Sequence, residues 1–214
     1  MKISVLSVTA FAENVYIVSD DESKDAVIVD PGGEAERILE TVEQLGVHVK
    51  YILDTHGHMD HVGGVLKVRE ETGAQYGIHE NDIETSMRQP AGYALQMIPD
   101  FESPPHPDLV LKEGDEFRVG DIVFKVIETP GHTMGSVCFL AGSVLFAGDT
   151  LFNGSVGRTD FPGSSGEALV DSIRSKLFNL DEEAVVLPGH GPQTTIKQEK
   201  EYNPFVGVNA RPRP

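Results

Sequence analysis

One grammar occurs twice along this chain. The segments VIVDPG (27–32) and YILDTHGH (51–58) flank one helical pattern, and VLFAGDT (144–150) and VVLPGH (185–190) flank another. Each unit runs strand, Asp-bearing turn, helix, strand, His-bearing loop. A helix buries one stripe and a sheet needs its faces covered, so such units must stack in layers. The repetition predicts two related halves that pack their sheets together inside outer helices. The expected fold class is therefore α/β, a four-layer αββα sandwich.

The remaining elements follow from apolar spacing. Short apolar or alternating runs predict strands at 3–8, 14–19, 26–30, 49–55, 74–79, 115–119, 121–128, 136–140, 144–148 and 184–188. A helix is predicted over 34–45, where Ala35, Ile38, Leu39, Val42 and Leu45 recur at helical spacing before Gly46. Others are predicted over 61–71, 81–87 and 166–178, and near 193–202. Residues 89–107 carry Pro90, Pro99, Pro104, Pro105 and Pro107 among Tyr93, Met97 and Phe101. They read either as a linker or as a partly ordered flap. Residues 149–165 read as a Gly-rich loop. The whole chain, 1–214, is expected to form one domain with an irregular tail over 203–214.

Composition narrows the partners. With 39% hydrophobic and 24% charged residues, the 214-residue chain reads as soluble and long enough to bury a sizeable core. Its formal charge of −17 argues against a nucleic-acid backbone or an anionic membrane as partner. The one cysteine, Cys138 in SVCFL, excludes an intrachain disulfide and reads as a small buried hydrophobe. The N-terminal run lacks the long apolar stretch of a signal peptide, and no window holds 18 uninterrupted apolar residues. A cytoplasmic location is expected.

Chemistry concentrates at the strand ends. Thr55-His56-Gly57-His58-Met59-Asp60-His61 places three histidines and one aspartate in six consecutive positions after a strand. Gly57 permits a tight turn, so His56 and His58 can face one side while Asp60 and His61 approach from the next helix. Neutral imidazoles and carboxylates are ligands for zinc, iron or manganese. Two further strands end in Pro-Gly-His turns, presenting His132 and His190, and a third strand-end turn presents Asp149. The candidates are His56, His58, Asp60, His61, His132, Asp149 and His190. Seven donors exceed one tetrahedral site and suit two adjacent ions if one carboxylate bridges. Asp30, at a strand end without a neighbouring histidine, reads as a support for the site rather than a ligand. His48, His79 and His106 lie outside these turns and read as ordinary.

The segments THGHMDHVGG, TPGHT, AGDTLF and PGHG resemble, in order and spacing, the motifs of the metallo-β-lactamase fold superfamily. Within it the chain looks like the short relatives of glyoxalase II, the hydroxyacylglutathione hydrolases. The resemblance implies that His56, His58 and His132 hold one divalent ion and Asp60, His61 and His190 a second, with Asp149 bridging. Zinc is the expected ion, with iron and manganese as alternatives. Hydrolytic β-lactamases place a cysteine at or near the bridging position, where Asp149 stands here. The long glyoxalase II enzymes carry a C-terminal helical extension with basic residues for glutathione; here 24 residues follow His190, so that part of the thiol site is expected to be missing. GRTDF (157–161) resembles both the short hydrolases and the mono-iron persulfide dioxygenases. Arg158 falls near the substrate-binding lysine of the long family. It is expected to pair with a substrate carboxylate, or else with Asp160.

The expected activity is hydrolysis of a small hydroxyacyl thioester such as S-lactoylglutathione, with Asp60 orienting the attacking water. The alternative is a persulfide dioxygenase using one Fe(II) held by His56, His58 and Asp149 or nearby members of the set. Hydrolysis of another ester or lactone is a lesser alternative.

Overall fold

The computed structural model describes residues 1–89 and 91–210. The first half contains β1 (Lys2–Val8), β2 (Glu13–Ser19), β3 (Asp25–Val29), α1 (Ala35–Leu45) and β4 (His48–Leu53). It continues with α2 (Met59–Val62), α3 (Val65–Thr72), β5 (Gln75–His79), α4 (Glu80–Met87), α5 (Ala91–Met97) and β6 (Leu109–Leu111). The second half contains β7 (Glu116–Val119), β8 (Ile122–Glu128), β9 (Val137–Ala141), β10 (Val144–Gly148), β11 (Leu151–Phe152) and β12 (Ser155–Val156). After these come α6 (Gly166–Ser175), a 3₁₀ turn (Leu177–Asn179), β13 (Val185–Pro188), β14 (Thr194–Thr195) and α7 (Ile196–Tyr202).

Two six-stranded sheets result, ordered β1-β2-β3-β4-β5-β6 and β14-β13-β10-β9-β8-β7. The repeated grammar lies inside each of them. Strands β3 and β4 run parallel around α1, and β10 and β13 run parallel around α6. Successive side chains of a strand point to opposite faces, and here both faces are buried. Val15, Ile17, Ala26, Ile28 and Ile52 join the cluster beneath α1 and α3, whereas Tyr16, Val18, Val27, Val29 and Leu53 face the other sheet. Leu145, Ala147 and Val186 pack with Leu169 and Ile173 of α6, whereas Phe124, Phe139, Phe146 and Leu187 fill the space between the sheets. Three apolar clusters thus separate four layers, as the sequence predicts. Cys138 lies fully buried in the third cluster, and burial pushes its thiol up to about 11. Among the described residues no helix is long and apolar enough to cross a membrane.

Several local readings need correction. The helix expected over 61–71 is two helices, α2 and α3, broken at Gly63-Gly64. The break lets the Asp30–Gly33 loop press against them. Gly64 N–H donates to Pro31 O at 2.7 Å, and a Cβ on Gly63 would lie 2.6 Å from Gly32 O. The 89–107 stretch contains helix α5, with Ala94, Ile98 and Phe101 buried at spacings of four and three. Its prolines flank that helix instead of abolishing structure; Pro90 lies outside the described residues. Strand β6, too short for an alternation to register, follows. The loop 149–165 includes the hairpin β11–β12, and α6 gives way to the 3₁₀ turn before 178. Of the tail, 203–210 runs without helix or strand but buries Val206; 211–214 lie outside the described residues.

Candidate metal centre

The His- and Asp-bearing loops follow β4, β8, β10 and β13 and converge at one end of the two sheets. The structure brings all seven candidates together. The ring nitrogens His56 Nε2 and His58 Nδ1 lie 3.1 Å apart, and His132 Nε2 lies 2.9 Å from the same His58 Nδ1. A second group comprises Asp60, His61 and His190, with His190 Nε2 at 3.3 Å from Asp60 Oδ2. Asp149 stands between them. Its Oδ1 is 3.4 Å from His61 Nε2 and 3.7 Å from His190 Nε2, and its Oδ2 is 3.6 Å from His132 Nε2. His48, His79 and His106 join none of these groups; His79 instead caps α4, accepting from Asn81 N–H at 3.2 Å.

His56, His61, His132 and His190 are each aimed by what the far nitrogen touches. His132 Nδ1 is 2.8 Å from Arg158 O, and His190 Nδ1 is 3.1 Å from Phe11 O. A carbonyl only accepts, so each Nδ1 carries a proton, and in the neutral ring each Nε2 offers its lone pair. His61 Nδ1 lies 3.0 Å from Asp30 Oδ2. Asp30 is itself fixed by Thr55, whose N–H and hydroxyl donate to it at 2.6 and 2.7 Å. The supporting position expected of Asp30 is where the structure places it. The His190 loop is clamped from β2, where Asn14 N–H donates to Gly189 O at 2.8 Å and the Tyr16 hydroxyl to Pro188 O at 2.7 Å.

Electrostatics divide the cluster: burial works to lower His61 and His190, but the facing carboxylates of Asp149, Asp30 and Asp60 carry both above the ordinary imidazole range. Burial, with repulsion from neighbouring imidazoles, pushes His56 well below the ordinary imidazole range and His58 down to about 4. Both are therefore neutral at pH 7 with lone pairs free. Burial would raise the carboxyls of Asp60 and Asp149, but the facing imidazoles, His190 and His61 above all, hold both below the ordinary carboxylate range. His61 Nε2 and Asp149 Oδ1 are buried with no hydrogen-bond partner. Unpaired buried polar atoms are costly. Together with three ring nitrogens pointing at one another, they make a donor set that suits divalent ions.

Glu13 carries no signal of its buried role in the sequence. It opens β2 at 0% exposure, with Oε1 4.0 Å from His61 Nδ1 and both carboxyl oxygens unpartnered. Burial pushes its carboxyl well up. With Asp30 and His61 it forms a buried layer behind the second group. Arg158 sits at the mouth. Its guanidinium makes two 2.7 Å bonds to Asp160 and lies 4.1 Å over the ring of Phe161, whose edge meets His58 at 5.1 Å.

The fold and this cluster define a class, and comparison with known proteins agrees. The profile of the metallo-beta-lactamase superfamily matches residues 8–190, and the chain belongs to that superfamily of metal-dependent hydrolases, whose fold implies divalent metal ions. It is 40% identical over 213 residues to hydroxyacylglutathione hydrolase GloC of Haemophilus influenzae, covering 96% of this chain and 98% of that one. Three solved structures are close. BLEG-1, a B3 metallo-β-lactamase, is 34% identical with a TM-score of 0.87, covering 96% of this chain and 99% of that one. TTHA1623, in a di-iron-bound form, is 36% identical with a TM-score of 0.84, covering 94% and 99%. ETHE1 from Myxococcus xanthus is 32% identical with a TM-score of 0.80, covering 96% and 84%.

Proposed function

We propose that the protein is a binuclear hydrolase of hydroxyacyl thioesters of the S-lactoylglutathione type. The observation that carries this reading is the donor set: two groups of three, with one carboxylate between them. His56, His58 and His132 would hold one ion, Asp60, His61 and His190 the other, and Asp149 both. Divalent ions held there would supply Lewis acidity, lowering the pKa of water from about 15.7 toward about 7 and polarising a carbonyl. Asp60, held ionised, orients the attacking water by accepting its hydrogen bond. Phe161 lies edge-on to His58 with the Arg158 guanidinium over its ring, and the two would meet the acyl-thiol chain. The leaving thiol, with a pKa of roughly 8.5, departs as thiolate without a strong general acid. No further acidic group is needed for that step. The 40% likeness to GloC supports this choice of substrate.

The decisive measurement is hydrolysis of S-lactoylglutathione with and without oxygen. The expected result is kcat/KM of about 10⁴ M⁻¹s⁻¹ or more in both cases. The second reading, a mono-iron persulfide dioxygenase, is favoured by the likeness to ETHE1. Oxygen uptake with glutathione persulfide by the iron-loaded protein, with thioesters untouched, would establish it instead.

Arg158 gives a further test. Its pair with Asp160 is solvent-exposed, so it contributes little stability and is exchangeable. A substrate carboxylate can take the place of Asp160 on the same guanidinium fork. Arg158→Ala should therefore raise KM for an anionic thioester about tenfold while leaving kcat nearly unchanged, as expected for binding shared by ground and transition states. An unchanged KM with a lowered melting temperature would reduce Arg158 to a brace for its own loop.

A further inference from the structure

We infer that Asp82, on α4, is a positioning residue that sets the spacing of the three-imidazole group. It is 1% exposed and belongs to none of the donor groups. Three donors close on its carboxylate. Oδ2 accepts from Gly57 N–H at 2.8 Å and from the Thr133 hydroxyl at 2.6 Å, and Oδ1 accepts from Gly135 N–H at 3.0 Å. Gly57 lies between His56 and His58, and Thr133 follows His132.

These two loops leave different sheets, β4 in the first and β8 in the second. The ladders stay within each sheet; across them Val137 N–H of β9 donates to Thr55 O at 2.8 Å, and the Asp82 carboxylate adds side-chain bonds to both loops. Helix α4 is also pressed onto the first loop, since a Cβ on Gly57 would lie 2.7 Å from Asp82 O. The donor directions are fixed. Thr133 Oγ1 is 2.7 Å from Ser136 Oγ, which also accepts from Thr133 N–H at 3.0 Å. The Ser136 hydroxyl can donate to Thr133, leaving the Thr133 proton for Asp82. An asparagine at 82 would turn an N–H₂ group toward at least one of these donors. Asp60, His61, His190 and Asp149 exchange no hydrogen bond with Asp82 among the described residues, so the effect falls on one ion site and spares the other.

This inference rests on the two-site reading above, and the test separates the two. Zinc is titrated into metal-free wild type and Asp82→Asn in competition with a chromophoric chelator. One site of the variant should weaken by about 10- to 100-fold, the usual range for residues that orient ligands. The other should stay within about threefold. In a His190→Ala background, which spares the three-imidazole group, Asp82→Asn should still weaken binding; in a His132→Ala background it should not. Thr133→Val removes a single donor and should weaken the same site by a smaller factor, which keeps the test open if Asp82→Asn folds poorly. Two sites weakened equally, or neither weakened while the melting temperature falls, would make Asp82 a fold-stabilising residue only. A wild type that holds one ion, weakened by Asp82→Asn, would retire the two-site reading and keep the role of Asp82. Two ions in wild type and unaltered affinities in both variants would do the reverse.

Discussion

Asp149→Ala should take the protein from two bound ions to one or none and lower thioester hydrolysis by about a thousandfold, equivalent to roughly 4 kcal/mol of transition-state stabilisation. The two carboxyl oxygens of Asp149 face different groups, Oδ1 toward His61 and His190 and Oδ2 toward His132. Among the described residues no other carboxylate of the donor groups faces both. Elemental analysis beside kcat/KM checks this, and a variant with both ions and full activity would show that Asp149 is no ligand.

Phe146→Ala should have the largest effect on stability. The ring is fully buried between the sheets, edge-on to Tyr16 at 5.3 Å and stacked with Phe124 at 5.9 Å. Truncating a buried phenylalanine leaves a cavity and costs about 3–5 kcal/mol. For a chain of this length that lowers the melting temperature by about 10 °C. Urea unfolding gives the same quantity independently. Because Tyr16 also holds Pro188 O beside His190, the loss should extend to zinc affinity, whereas Phe146→Leu should retain most of both. A melting temperature unchanged in Phe146→Ala would mean that the sheets close over the gap.

The sequence makes legible whatever lies within one strand and the loop after it. The His56–His61 run, the two Pro-Gly-His turns and the Asp149 turn are each local, so all seven candidate donors that the structure brings together are visible in the sequence itself. The layer order is visible too, because each strand–helix–strand unit is contiguous. Contacts made across the chain are not. Asp82 reads as an ordinary acid in the first turn of a helix, yet its partners Gly57 and Thr133 lie 25 and 51 residues away. Glu13 reads as a polar residue at a strand end, and only the fold puts it behind His61. The prolines around α5 hide a helix, since they mark its neighbourhood and say nothing of Ala94 on the helix or of Ile98 and Phe101 just after it, all three buried. Arg158 has two readings in the sequence. The structure puts its guanidinium on Asp160 while its backbone carbonyl holds His132.

The two halves of the chain share the donors unequally in time. His56, His58, Asp60 and His61 precede β7, whereas His132, Asp149 and His190 follow it. Synthesis runs from the N-terminus, and chains begin to fold as they emerge. A nascent first half therefore presents four donors but completes neither group. The three-imidazole group is completed once His132 has emerged, and the other must wait for His190. On the two-site reading proposed above, metal acquisition would follow the direction of translation: an ion that arrives early would meet an unfinished site, and each ion that stays would tie the later half to the earlier one.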